Sequence, residues 1–152
     1  MDYIQSIRPK LGHQKIILNC AGAVVEREGK ILLQRRSDNG AWGLPGGILE
    51  LDETYSQAAV REVWEETGLR IRLTAFLGVY HNPDMIWSNG DRAHTIGAYF
   101  AAEIIGGALR VDEESLELRF FARDELPPLC FPDHRLALEA YWKGQRLPIA
   151  EG

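Results

Sequence analysis

The sequence predicts an α/β fold in which strands and helices alternate along a chain of 152 residues. Two apolar runs around a polar turn indicate a hairpin near the N-terminus. A long amphipathic helix follows, and two further runs rich in Val, Ile, Leu, Phe and Tyr come after it. A chain of this length suits one ordinary hydrophobic core, so residues 1–152 are expected to form a single domain.

The first part of the chain is expected to supply a short helix, a hairpin and a loop. Residues 2–11 are expected to form a small helix limited by an internal proline. Residues 16–25 and 30–36 are predicted strands, and the polar turn 26–29 joins them. The following segment, 37–47, reads SDNGAWGLPGG and is so dense in Gly, Asn, Asp and Pro that it predicts a loop without regular structure.

The central helix has clear start and stop signals. Thr54, followed three residues later by Gln57, forms a capping-box pattern. Gly68 supplies the left-handed residue that ends helices, so the helix is expected to run to Thr67.

The remainder of the chain is predicted to alternate strands with loops before a last helix. The predicted elements are strands at 69–81 and 93–104, a loop at 82–92, a hairpin-like turn at 106–107, a strand at 117–122 and a helix at 133–143.

Composition and charge exclude several classes of function. A formal net charge of -5 argues against sequence-independent binding of nucleic acid, which needs a basic face. The sequence contains no long uncharged apolar run and no signal-peptide pattern, so no membrane partner is expected and the expected location is cytoplasmic. The two cysteines are far apart in sequence and are interpreted as buried thiols. A homodimer is compatible with the sequence.

Three glutamates crowd the last turn of the central helix. Glu62, Glu65 and Glu66 are neighbours on a helix surface, where like charges repel and where the helix dipole favours cations. One interpretation is a solvated face partly neutralised by Arg61 and Arg70. The other is a site for a divalent cation, because Mg²⁺ is bound through carboxylates, water and substrate phosphates. The glycine-rich loop ahead of the helix favours the cation site, since glycines let the backbone approach a ligand.

The helix lies within a longer pattern, G-x5-E-x7-R-E-V-x-E-E-x-G-L, that occupies residues 47–69. This pattern resembles the complete signature of the Nudix hydrolases, the MutT-like pyrophosphohydrolases. The flanking segments WGLPGG, LLQRR and ELRFFARDELPPL are also similar to common patterns of that family. The resemblance implies an α/β/α sandwich with a mixed β-sheet.

The same resemblance assigns roles to the residues of the signature. It implies that the cofactor is Mg²⁺ or Mn²⁺ and that Arg61 orients the acids by ion pairing, with Glu53 in support. The implied metal ligands are the Gly46 carbonyl, Glu62, Glu65 and Glu66.

The implied reaction is metal-dependent hydrolysis of a pyrophosphate bond in a nucleoside diphosphate derivative. ADP-ribose, a dinucleoside polyphosphate and a nucleoside triphosphate are the substrate types considered. Glu117 is the leading candidate for the catalytic base in a loop, with Glu113 and Glu114 as neighbours, while Glu65 or Glu66 of the helix could substitute. The alternatives are a catalytically silent module that senses a nucleotide, and an isomerase or glycosyl-transfer enzyme on the same fold.

Three residues outside the signature are candidate substrate contacts. Arg36 ends a strand aimed towards the glutamates and could hold a phosphate, although a structural ion pair is an alternative interpretation. Trp87 and Arg92 lie in the predicted loop 82–92, where an aromatic ring could stack on a base.

Overall fold

The computed structural model describes residues 2–151 and confirms the alternation of strands and helices. The helices are α1 (Tyr3–Leu11), α2 (Tyr55–Thr67) and α3 (Pro132–Trp142), with a 3-10 turn at Arg123–Glu125. The strands are β1 (Ile16–Arg27), β2 (Lys30–Arg36), β3 (Trp42–Gly43), β4 (Gly46–Ile48), β5 (Leu69–Ile86), β6 (Arg92–Gly107) and β7 (Ser115–Phe121). None of the helices within residues 2–151 is both long enough and apolar enough to cross a bilayer.

The strands form one mixed sheet. Its central order is β3-β2-β1-β6-β5, while β4 also pairs with β1 and β7 pairs with β2. The β1–β6 pair is parallel and the other strand pairs are antiparallel. The expected hairpin is confirmed, because β1 and β2 pair directly through Glu26–Ile31 and Arg27–Lys30.

Successive residues of β1 face opposite sides of the sheet and so build two cores. Val24 belongs to the cluster that holds Ala137 and Leu138 of α3. Its neighbour Val25 packs in the cluster that holds Val63 of α2. The sheet therefore lies between α2 and α3, which confirms the α/β/α sandwich.

The start and stop signals of α2 are confirmed. The Thr54 side chain accepts a hydrogen bond from the backbone N–H of Gln57, and the Gln57 side chain accepts one from the Thr54 N–H. Gly68 ends the helix in the left-handed conformation, with φ of 77°. These local contacts fix where the glutamates lie relative to the sheet.

The prediction of a structureless loop over residues 37–47 is wrong at two places. Trp42–Gly43 pairs with β2, and Gly46–Ile48 pairs with β1. The glycines that suggested a loop are what permit the second pairing, since a Cβ on Gly46 would lie 2.4 Å from the carbonyl oxygen of Ala21. The strand β4 is thereby held against β1, directly ahead of α2.

The predicted loop at 82–92 is confirmed only for residues 87–91, and the predicted hairpin-like turn at 106–107 is wrong. β5 continues through Pro83 to Ile86, and β6 begins at Arg92. A proline is tolerated there because β5 lies at the edge of the sheet, and the ladder is irregular between Asn82 and Met85. Residues 106–107 are the last residues of β6 and do not form a hairpin turn. The next strand, β7, pairs with β2 and not with β6.

Candidate active site

Two glutamates of α2 face the glycines of β4. Glu66 is only 3% exposed, and its Oε1 accepts a hydrogen bond of 3.1 Å from the backbone N–H of Gly46. The carboxylate of Glu62 lies against Gly47, where a Cβ would come within 2.5 Å of the Glu62 Cδ. The absence of a side chain at Gly47 therefore leaves the space that the Glu62 carboxylate occupies, and the absence of one at Gly46 lets β4 lie close to β1.

Glu66 is held in an environment that disfavours its charge. Burial raises the pKa of Glu66 well above its usual value, and the neighbouring charge of Glu62 raises it further. The side chain of Gln34 partly offsets this rise in the pKa of Glu66, and its Nε2 donates a hydrogen bond of 2.7 Å to the Ser115 hydroxyl. Sequence reasoning missed Gln34, although a polar residue inside the apolar run ILLQ was a usable signal. Its side chain joins the glutamates to the start of β7.

Arg61 connects the acidic residues. Its guanidinium makes two hydrogen bonds to Glu53, of 2.7 and 2.8 Å, and others to Glu62 at 2.8 Å and to Glu65 at 3.1 Å. It also donates to the carbonyl oxygen of Ile48 at 3.2 Å. These hydrogen bonds from Arg61 lower the pKa of Glu53. Arg61 therefore links three carboxylates, although burial still raises the pKa of one of them, Glu62.

The three glutamates predicted to hold a metal are not equivalent. The Glu65 side chain is 54% exposed and contacts Arg61, whereas Glu62 and Glu66 converge on the glycines. Within residues 2–151 no three His, Cys, Asp or Glu side chains already enclose a common point closely enough to hold an ion. Two converging carboxylates beside Gly46 and Gly47, the glycine cradle, nevertheless suit Mg²⁺ or Mn²⁺. Such ions take few protein ligands and complete their shell with water and phosphate oxygens.

A cavity of about 780 Å³ opens beside the glutamates. This volume is in the range of pockets that bind small molecules and cofactors. Its walls come from α1, from the sheet, from α2 and from the start of α3. It brings together most of the residues that the sequence predicts for the site, namely Arg36, Gly46, Arg61, Glu62, Glu65, Glu66 and Trp87.

Glu117 does not lie where the sequence predicts. It is part of β7 instead of preceding the strand, it pairs with Arg35 in the ladder, and it is not among the residues that line the cavity. Glu114, its neighbour in sequence, does line the cavity. Burial raises the pKa of Glu114, and nearby acids, among them Glu65, contribute to the shift. The difference arises because β7 begins two residues earlier than predicted.

The structure places two of the three candidate substrate contacts at the cavity. Arg36 lies at the cavity, where it makes a two-pronged ion pair with Asp38 at 3.0 and 2.8 Å. Trp87 also lines the cavity. Arg92 is exposed at the first residue of β6, outside the cavity lining, and its carbonyl oxygen accepts a hydrogen bond from Arg8. The predicted position of Arg92 in a closing loop is therefore wrong.

Polar side chains that sequence reasoning missed also line the cavity. The Tyr99 hydroxyl donates a hydrogen bond to Oδ2 of Asp133, and both residues are buried. Next to them, Nδ1 of His134 accepts a hydrogen bond of 2.9 Å from the backbone N–H of Leu44. Burial also raises the pKa of the Cys20 thiol to about 12, so that this cavity residue is protonated at neutral pH.

His134 is expected to make the protein less stable in mild acid. Burial lowers the pKa of His134 from 6.5 to about 4, so the unfolded chain takes up a proton at this residue before the folded chain does. The contribution of neutral His134 to the free energy of unfolding is therefore fully present above pH 6.5, and it is lost as the pH drops towards 4. The loss is about 2 kcal/mol, less than the full shift because the ring is only half-buried.

Urea unfolding of the wild type and of His134→Asn between pH 7 and pH 4 measures this contribution. The asparagine carbonyl can accept the Leu44 hydrogen bond but does not titrate, so the variant should show a flatter dependence on pH. Parallel curves for the two proteins would assign the acid sensitivity to other groups.

Comparison with known proteins identifies similar chains. A family model described as the NUDIX domain matches residues 18–141. An ADP-ribose pyrophosphatase from Methanocaldococcus jannaschii is 40% identical over 125 residues, which cover 79% of this chain and 71% of the relative. The phosphatase NudJ of Escherichia coli K12 is 37% identical over 133 residues, which cover 83% and 84% of the two chains. A solved NUDIX hydrolase from Nitrosomonas europaea superposes with a TM-score of 0.74 at 26% identity, covering 87% of this chain and 93% of the other.

Proposed function

Since the chain belongs to the Nudix hydrolase family and is a pyrophosphohydrolase, we propose that it cleaves a nucleoside diphosphate derivative of the ADP-ribose type with Mg²⁺ or Mn²⁺ as cofactor. The observation that carries the proposal is the convergence of Glu62 and Glu66 on the β4 glycines beside a cavity of nucleotide size. The relative named as an ADP-ribose pyrophosphatase supports the choice of substrate type. We assign the activity to one domain spanning residues 1–152.

The proposed metal ligands are those of the signature. Glu62, Glu66 and the carbonyl of Gly46 would hold the ion from the inner side, and Glu65 would complete the set from the solvent side. When bound, a divalent cation neutralises charge on phosphoryl oxygens and lowers the pKa of a bound water. Arg61 acts as a positioning residue, because it fixes Glu62 and Glu65 relative to Glu53.

The remaining residues of the cavity suit the other needs of hydrolysis. Water attacks one phosphorus, the bridging P–O bond breaks, and two phosphate-bearing products leave. We propose that Glu114, in place of Glu117, takes the proton of the attacking water, because it lines the cavity near Glu65 and its pKa is raised towards the working range of a general base. Arg36 and Trp87 are proposed contacts of the substrate, since both line the cavity.

A panel of nucleotides tests the function. Purified protein is incubated with ADP-ribose, a dinucleoside polyphosphate and nucleoside triphosphates, with Mg²⁺, with Mn²⁺ and with a chelator, and the products are separated by chromatography. We expect ADP-ribose to yield AMP and ribose 5-phosphate only when a metal is present. A silent nucleotide sensor is not favoured, because the carboxylates are intact; tight binding without product from any compound would revive it. A homodimer and the lack of binding to nucleic acid stay predictions.

A pair of matched variants tests the proposed base. Glu114→Gln is expected to lower kcat roughly 100-fold, the lower end of what a general base contributes, because the amide cannot accept the proton of the water. Glu117→Gln makes the same chemical change on β7, outside the cavity, and is expected to keep kcat close to that of the wild type. The measurement is kcat over pH 6 to 9 with the best substrate of the panel. A large loss in Glu117→Gln with a small one in Glu114→Gln would reverse the assignment.

A further inference from the structure

Asp133 carries a buried oxygen that no group of the protein satisfies. It is the second residue of α3, it is 4% exposed, and it lines the cavity. Its Oδ2 accepts the hydrogen bond from Tyr99, but its Oδ1 is buried and has no hydrogen-bond partner within residues 2–151. Buried polar atoms are almost always paired, and an orphaned one carries a desolvation penalty. An unpaired acceptor on a residue that lines a cavity is suited to a donor that arrives with a ligand.

The surroundings define what kind of donor fits. Asp133 lies in the first turn of α3, where the helix dipole favours a carboxylate. The cavity side chain of Cys20 is close enough to feel both Asp133 and Glu62, since each charge raises the pKa of its thiol. Both acids therefore lie within electrostatic reach of Cys20. A phosphate would be repelled by Asp133, whereas the glutamate side of the cavity can receive phosphates through a cation.

Aromatic residues line the same end of the cavity. Phe131 packs edge-on against His134, with ring centroids 5.0 Å apart, and Trp87 packs in the same cluster as Phe131. Flat, uncharged groups with N–H donors suit such walls, because aromatic surfaces stack with rings while the carboxylate accepts from their edge. A nucleobase has both properties, and a sugar has only the donors.

We infer that Oδ1 of Asp133 accepts a hydrogen bond from the amino group of the substrate's nucleobase, so that Asp133 selects amino-bearing bases such as adenine over their oxo counterparts. The inference rests on the proposed function in one respect, that the ligand is a nucleotide. At the position of the amino group a 6-oxo base presents a carbonyl oxygen to the carboxylate, and its N1–H donor lies one ring position away. An Oδ1 placed for the amino group therefore faces a second acceptor and rejects the 6-oxo base.

The wild-type protein alone provides the first test. Calorimetry without metal compares AMP with IMP, which carries the 6-oxo group, and with purine riboside monophosphate, which has no group at that position. We expect AMP to bind roughly 10- to 100-fold more tightly than either. Equal affinity for the three compounds would overturn the inference without the need for any variant.

Asp133→Asn gives the second test. Asparagine keeps the shape and can accept the Tyr99 hydrogen bond through its oxygen, which turns its amide N–H donors towards the cavity. The preference for AMP over IMP should then disappear or reverse. The control is Asp124→Asn, the same change at an exposed position of the 3-10 turn, which should leave the preference unchanged. Thermal unfolding of both variants verifies that they are folded.

The outcomes separate this inference from the proposed function. An equal loss of affinity for AMP and IMP in Asp133→Asn would overturn the assignment to the base and point to a ribose hydroxyl as the donor. Hydrolysis of ADP-ribose without any base preference would overturn the inference and leave the function standing. A base preference that Asp133→Asn reverses, in a protein that turns over no substrate, would support the inference and overturn the function.

Discussion

Glu66→Gln is expected to lose roughly 10²- to 10⁴-fold in kcat/KM with ADP-ribose while unfolding at a higher temperature than the wild type in the absence of metal. The loss of activity follows from the removal of a carboxylate charge at the point where Glu62 and Glu66 converge. The gain in stability follows from the environment of Glu66, which is 3% exposed and lies next to another acid. Lost activity together with gained stability is expected of a residue that serves function and destabilises the fold around it.

The sign of the pH dependence can be stated for the same variant. Burial raises the folded-state pKa of Glu66 above the value in the unfolded chain. The folded protein therefore holds this proton more tightly, and the wild type loses stability as the pH rises through the folded-state pKa. Glutamine does not titrate, and its amide can donate to Glu62 as the protonated carboxyl group does. The stability difference in favour of Glu66→Gln should grow with rising pH.

Thermal unfolding with and without Mg²⁺ completes the experiment. Magnesium should raise the Tm of the wild type, because a bound ion stabilises only the folded state, and should raise that of Glu66→Gln much less. Glu139→Gln, at an exposed position of α3, is the matched control and should behave as the wild type does. A Glu66→Gln protein that kept its activity and its response to Mg²⁺ would remove Glu66 from the proposed site.

The parts of the fold that follow from local signals could be predicted from the sequence. The limits of α2 depend on Thr54, Gln57 and Gly68, which are close in sequence to the residues they cap. The cluster of glutamates is predictable for the same reason, since residues in one helical turn are neighbours in any fold that contains the helix. The contact of Arg61 with Glu53 is predictable as well, because it joins the helix to the segment immediately ahead of it in the sequence.

The parts that depend on pairing between distant segments could not be predicted. β4 looks like a loop because its glycines carry no side-chain pattern, and only its partner β1 shows that it is a strand. The choice between Glu114 and Glu117 depends on where β7 begins against β2, which a shift of two residues decides. Asp133 reaches the cavity only because Tyr99, 34 positions away in sequence, meets it across the α3 side of the sheet.

The two adjacent glycines of β4 should respond in opposite ways to alanine. In Gly47→Ala the new Cβ would lie 2.5 Å from Glu62 Cδ, which is the far end of a flexible side chain. Glu62 can swing away at little cost to the fold, but it then leaves both Arg61 and Glu66. We expect wild-type stability with a loss of roughly 10- to 100-fold in kcat/KM, the size seen when groups that orient a metal site are displaced.

In Gly46→Ala the new Cβ would lie 2.4 Å from the carbonyl oxygen of Ala21 and 2.7 Å from the Cα of Gly22. Both atoms belong to the backbone of β1, whose residues at this point are paired with β6 as well as with β4, so the strand cannot move aside. We expect this variant to lose about 1–3 kcal/mol of unfolding free energy. Urea unfolding and kcat/KM, measured on both variants, separate the two effects. If Gly47→Ala were the less stable protein and Gly46→Ala the less active one, the backbone of β4 would be mobile enough to absorb a side chain, and the glycine cradle would not define the position of Glu62.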